Sequence, residues 1–152
     1  MSNWITLTKA DLYDTKVAAL VDQVDAISLG AGQTERTTDL IAAVTAEIRR
    51  KCAHTTALDA DLTKSPGGLK TLALDLIACR IKSALEMELN QDERNLLLAR
   101  ERDLNRIADG KDLVDLPDNP VAVSQTMQSG GSAQIVSQKT RLATRERLDG
   151  LM

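Results

Sequence analysis

The stretch from Ser65 to Leu89 constrains the chain most. Leu69, Leu72, Leu76, Ile77, Ile81, Ala84 and Leu85 recur at three- and four-residue steps, which places them on one helical face. Leu74, Ala78 and Cys79 widen that face. A helix apolar over so much of its circumference must be enclosed by other elements. Ser65 can cap it and Pro66 suits its first position, where the missing N–H would be unpaired anyway. The stretch therefore predicts the central helix of a small bundle. Asp75 and Arg80 interrupt its apolar run.

Composition points the same way. The 152 residues are about one domain's worth, 43% hydrophobic but only 1% aromatic, with no Phe. A core of Leu, Ile, Val and Ala favours helices over a β-sandwich. The formal charge of −3 gives no general attraction to nucleic acid or an anionic membrane. No apolar run approaches the roughly 20 residues of a membrane span, and the N-terminus lacks the pattern of a signal peptide. Cys52 and Cys79 stand far apart, with no spacing that suggests zinc; they read as buried, reduced thiols in a reducing compartment.

In chain order, Thr8 and Asp11 form a capping-box variant that opens a short helix over Lys9–Tyr13. Asp14 or Thr15 can cap a second helix carrying Val17, Leu20, Val21 and Val24. Ala26 to Gln33 is a loop by its glycines, without the strand or motif of a phosphate cradle. Thr34 to Lys51 reads as a long helix capped by Thr34 or Thr37, with Leu40, Ile41, Val44, Ile48 and Cys52 on its inner face. Arg49, Arg50 and Lys51 read as a solvated end matching the helix dipole. His54 reads as a surface residue. Thr55 to Lys64 is a polar connection anchored by Leu58 and Leu62. Asn90 and Glu93 form the capping box of a last helix whose outer surface carries Arg94, Arg100, Arg102 and Arg106 among acids. Gly110 is its terminating glycine.

These segments predict an all-α body over residues 1–116, a bundle of four to five helices. An extended arm, residues 117–152, comes after it, with a candidate β-hairpin around Ser129–Ser132. The arm is too poor in apolar residues to fold alone. Its patterned residues, Val121, Val123, Ile135, Val136, Arg141, Leu142, Arg145, Arg147 and Leu148, form the expected partner interface. No catalytic, cofactor or metal constellation is present, so the chain is read as a non-enzyme. Asp75 is the one acid singled out, as a structural buried acid paired with Arg80 or with a base of another helix, or else serving a ligand or a neighbouring subunit.

Four short patterns succeed one another along the chain: Thr8, Asp11, Leu12; then Leu72, Ala73, Asp75, Ala78, Arg80; then Leu104, Ile107, Ala108, Gly110, Lys111 with Leu113 or Leu116; and finally Arg141, Thr144, Arg145, Leu148, Gly150. Their order resembles the small adaptor proteins of Mu-like tailed phages and prophages, related to head–tail connectors. That resemblance implies a helical subunit of a ring, commonly dodecameric, beneath the portal. Its partners would be other copies of itself, the portal protein and a tail or neck protein. Genomic DNA would pass through the lumen without sequence-specific binding. The implied location is the virion neck, after synthesis in the host bacterial cytoplasm, with no membrane involved. The loop Ala26–Gln33 departs from the acidic loop of many relatives, so no cation site is carried over. The alternative reading is a small soluble helical binding or regulatory module. Net acidity and the lack of a clear recognition helix argue against its being DNA-associated.

Overall fold

The computed structural model describes residues 2–27 and 35–122. Five α-helices and one two-stranded sheet make up the body, so the all-α expectation is met. The order is β1 (Trp4–Thr6), α1 (Lys9–Tyr13), α2 (Ala18–Asp25), α3 (Arg36–Cys52), β2 (Lys64–Pro66), a 3₁₀ turn (Gly67–Leu69), α4 (Lys70–Ala84) and α5 (Gln91–Ala108).

Helix α4 is the centre, packing against α3, α5, α2 and α1. Its Leu72, Ala73, Leu76, Ile77, Cys79 and Ile81 are buried, and Leu74 and Ala78 are half-buried. Leu72, Ala73, Leu76, Ile77 and Ile81 join Val44, Ile48 and Cys52 of α3, Val21 and Val24 of α2, Leu12 of α1, and Leu104 and Ile107 of α5 in one continuous core.

The start of α4 differs from the expectation. Ser65 and Pro66 do not open the helix; they belong to β2, which pairs antiparallel with β1, Trp4 opposite Pro66 and Ile5 opposite Ser65. Gly67 then donates its N–H to Asn3 O at 2.8 Å. A Cβ on Gly67 would lie 3.0 Å from that same carbonyl oxygen, a tight contact that favours glycine at the turn between strand and helix. The helix also ends before Leu89. Glu86 takes a left-handed φ of 54°, its N–H bonds to Ser83 O and that of Met87 to Lys82 O, a Schellman stop. Helix α5 ends the same way, with Gly110 at φ 73° and Lys111 N–H on Arg106 O, as its glycine predicts.

Other local readings are met or corrected individually. Asn90 and Glu93 form the predicted capping box of α5, with Glu93 N–H on Asn90 Oδ1 at 2.8 Å. At α1 the Asp11 carboxylate accepts from the amide and the hydroxyl of Thr8, both at 2.8 Å. Neither Asp14 nor Thr15 caps α2; its N-cap is Val17, held by a turn in which Thr15 Oγ1 donates to Leu12 O. Thr37 lies inside α3 and is buried, its N–H bonding to Asp25 Oδ1 at 2.9 Å, while Glu35 takes the N-cap position. Leu58 packs on the core as expected, whereas Leu62 is 77% exposed and anchors nothing within the body. His54 is exposed, as read from sequence.

The body also runs further than residue 116. Pro117 is buried, Asn119 O accepts from Ala60 N–H at 2.8 Å, and Val121 N–H donates to Leu58 O at 2.8 Å. A compact unit closes at Val121. Backbone pairing with the 58–60 loop outweighs the change in composition at Pro117. The candidate hairpin around Ser129–Ser132 lies outside the described residues.

Candidate functional site

Asp75 lies on α4 where the helix faces α5. Its Oδ2 accepts from Arg100 Nε at 2.8 Å, and Arg100 also reaches Asp103 at 3.4 Å. Of the partners considered for Asp75, a base from another helix is therefore the one found. Arg80 turns the other way and pairs with Glu47 of α3. The Asp75 and Arg100 side chains are 27% and 28% exposed, so Asp75 is a partly buried acid rather than a buried one. Lys82 pairs with Glu93, whose second oxygen accepts from Asn90 N–H at 3.0 Å. The Lys82 hydrogen bond holds the Glu93 carboxyl below its ordinary range. Lys70, at the start of α4, reaches Asp11 at 2.6 Å and lowers that carboxyl in the same way. The central helix is thus tied by ion pairs to α1, α3 and α5.

Between α4, the start of α5 and the α1–α2 turn lies a groove of about 330 Å³. Val17, Leu74, Ala78 and Leu96 supply its apolar lining, together with the Cys79 thiol. Asp75, Lys82 and Glu93 line it as well, already engaged in the pairs just described, along with Lys16 and Asp14. Leu96 is 37% exposed, and Leu98 is 51% exposed.

The chemistry available is limited. Burial pushes the Cys79 thiol above its ordinary range and the Cys52 thiol up to about 11. Both stay protonated at neutral pH, so neither is an activated nucleophile. Both are free and buried, as their spacing predicts. Among the described residues no group of three His, Cys, Asp or Glu is placed to hold a metal ion, and no helix is long and apolar enough to cross a membrane.

Arg49 is the functional surprise of α3. Read from sequence as part of a solvated basic end, it is buried, and its guanidinium donates to Asp59 O at 2.7 Å, Asp61 O at 2.9 Å and Lys64 O at 2.7 Å. Only Arg50 of the triplet is fully outward; Lys51 is half-buried and donates to Asn105 Oδ1 at 2.7 Å.

Of the expected interface residues, Val121 is described and 49% exposed, at the edge of the body. Val123, Ile135, Val136, Arg141, Leu142, Arg145, Arg147 and Leu148 lie outside the described residues. Comparison with family models, with curated proteins and with solved structures found no match.

Proposed function

We propose that this chain is a structural virion protein, a head–tail connector or adaptor whose copies form a ring between the portal and the tail of a tailed phage. The observation that carries the reading is where the motif residues fall. Thr8 and Asp11 start α1, Gly110 ends α5, and Leu72, Ala73, Leu104 and Ile107 fill the core. Asp75 and Arg80 join α4 to its neighbours. Residues that build a scaffold, rather than converge on a reactive centre, suit a subunit whose work is to hold shape in an assembly. The remaining motif, Arg141 to Gly150, sits C-terminal to this body. Its arginines offer forked donors to carboxylates, and its leucines offer apolar anchors to a neighbouring copy, to the portal protein or to a tail protein.

Electron microscopy of the purified protein, alone and co-expressed with its genomic neighbours, tests this. Rings, or incorporation into a portal complex, are the expected result. A protein that stays monomeric at high concentration and joins none of those neighbours would overturn the reading.

A further inference from the structure

Residues 117–121 are held to the body in a way that differs from every helix. Asp118 Oδ2 accepts from Asn3 N–H at 2.9 Å and from Ser2 Oγ at 2.5 Å. Asn119 and Val121 pair with Ala60 and Leu58 through backbone hydrogen bonds, bracketing a bridge between Asp59 and Pro120. The Asn119 N–H also points at Asp59 Oδ2, at 3.4 Å. Asp59 itself is fully buried; its other oxygen accepts from Asp61 N–H at 2.9 Å, and its carbonyl takes one arm of Arg49. The receiving side is therefore rigid, fixed from below by a buried guanidinium.

The segment itself brings little apolar surface. Pro117 is its one buried residue, Val121 is half-exposed, and Leu116 just before it is 68% exposed. Segments joined by solvent-accessible hydrogen bonds and few apolar contacts open at much lower free energy than a core helix.

We propose that residues 117–121 are a clasp, seated on Asp59, that opens as a unit while the helical body stays folded. Just upstream, Val114 packs against the core and Asp115 O accepts from the Trp4 indole N–H at 2.8 Å, so opening stops there. Release moves the point at which the chain leaves the body from Val121 back to Leu116. Five freed residues lengthen the tether to residue 123 and beyond by up to about 17 Å. The clasp is thus an adjustable root for the chain that follows it. This inference does not depend on the assembly reading.

Amide hydrogen exchange on the full chain tests it. The amides of Ala60 and Val121 should be protected, yet exchange about a hundredfold or more faster than those of Ile48 and Ile77. Val121→Pro removes one donor at an exposed position and should speed exchange at Ala60 about tenfold, with Ile48 and Ile77 still protected. Asp59→Asn, which keeps the shape but loses one acceptor oxygen, should loosen the same amides. The clasp is refuted if Ala60 and Val121 exchange at the rate of Ile77, if they show no protection at all, or if Val121→Pro unfolds the helices.

Discussion

Arg49 lies over the ring of Trp4, its Cζ 5.5 Å from the ring centroid, while its nitrogens gather three carbonyls of the 59–64 loop. One side chain of α3 thereby joins β1, the loop and β2. Among the described residues no carboxylate lies against the nitrogens of this cation. It is balanced by three carbonyl dipoles, by the negative end of α3, and by the face of the indole. Lysine cannot reproduce the fork. Arg49→Lys should cost about 2–4 kcal/mol, from lost charged hydrogen bonds and carbonyls left unpaired. Urea unfolding measures it; a change under about 0.5 kcal/mol would mean the loop finds other donors.

The Asp75–Arg100 pair leads to a smaller number. A fully buried pair would lose roughly 3–5 kcal/mol when one partner is neutralised. Here both side chains keep more than a quarter of their surface in water, and solvent screens them. Asp75→Asn should therefore cost about 1 kcal/mol or less. If thermal unfolding barely changes but ring formation is lost, the acid serves a neighbouring subunit; a loss near 4 kcal/mol would show a desolvation that the exposure of the pair does not suggest.

The parts of this fold legible in the sequence are those determined within a turn or two. Asn90 with Glu93, Gly110, and the apolar spacing of α4 each carry their outcome locally, and each is found in place. The parts that were not legible depend on contacts between distant residues. Ser65–Pro66 has the form of a helix start, but Trp4–Thr6, some sixty residues earlier, takes it as a strand partner. Arg49 has the form of a solvated helix end, but three carbonyls of a later loop converge on it. Asp75 stood out because a charge in an apolar run needs a partner; that the partner is Arg100 depends on how α5 packs, which no local spacing encodes.

Glu86 offers a test in the stabilising direction. It occupies the same left-handed Schellman position as Gly110, but with a side chain. The left-handed conformation costs an L-residue roughly 1–2 kcal/mol that glycine avoids, less what glycine loses through its freer unfolded chain. Glu86 is exposed and makes no described contact that the change would remove. Glu86→Gly should raise stability by about 0.5–1 kcal/mol, seen as a higher melting temperature with unchanged helical circular dichroism. A lower melting temperature would show that the Glu86 side chain contributes more than its backbone strain removes.

Two truncations separate the clasp from residues 123–152. One ends the chain after Ala122, the other after Leu116. Both keep every helix of the described residues, the sheet and the Trp4–Asp115 bond. They differ only by residues 117–122, so any contribution of residues 123–152 is absent from both and cancels in the comparison. The shorter chain loses the bonds of Asn3 and Ser2 to Asp118, of Ala60 to Asn119 and of Val121 to Leu58, together with the cover of Pro117. Most of the freed groups gain access to water as the segment leaves, so each lost bond counts at its net value, about 0.5–1.5 kcal/mol and toward the low end for exposed groups. The shorter chain should therefore be about 1–3 kcal/mol less stable in urea than the longer one, with helical content retained. Equal stabilities would show that the 58–60 edge pairs as well with water as with residues 119–121. Loss of cooperative unfolding in the shorter chain would show instead that residues 117–121 belong to the core, and that the chain has no clasp.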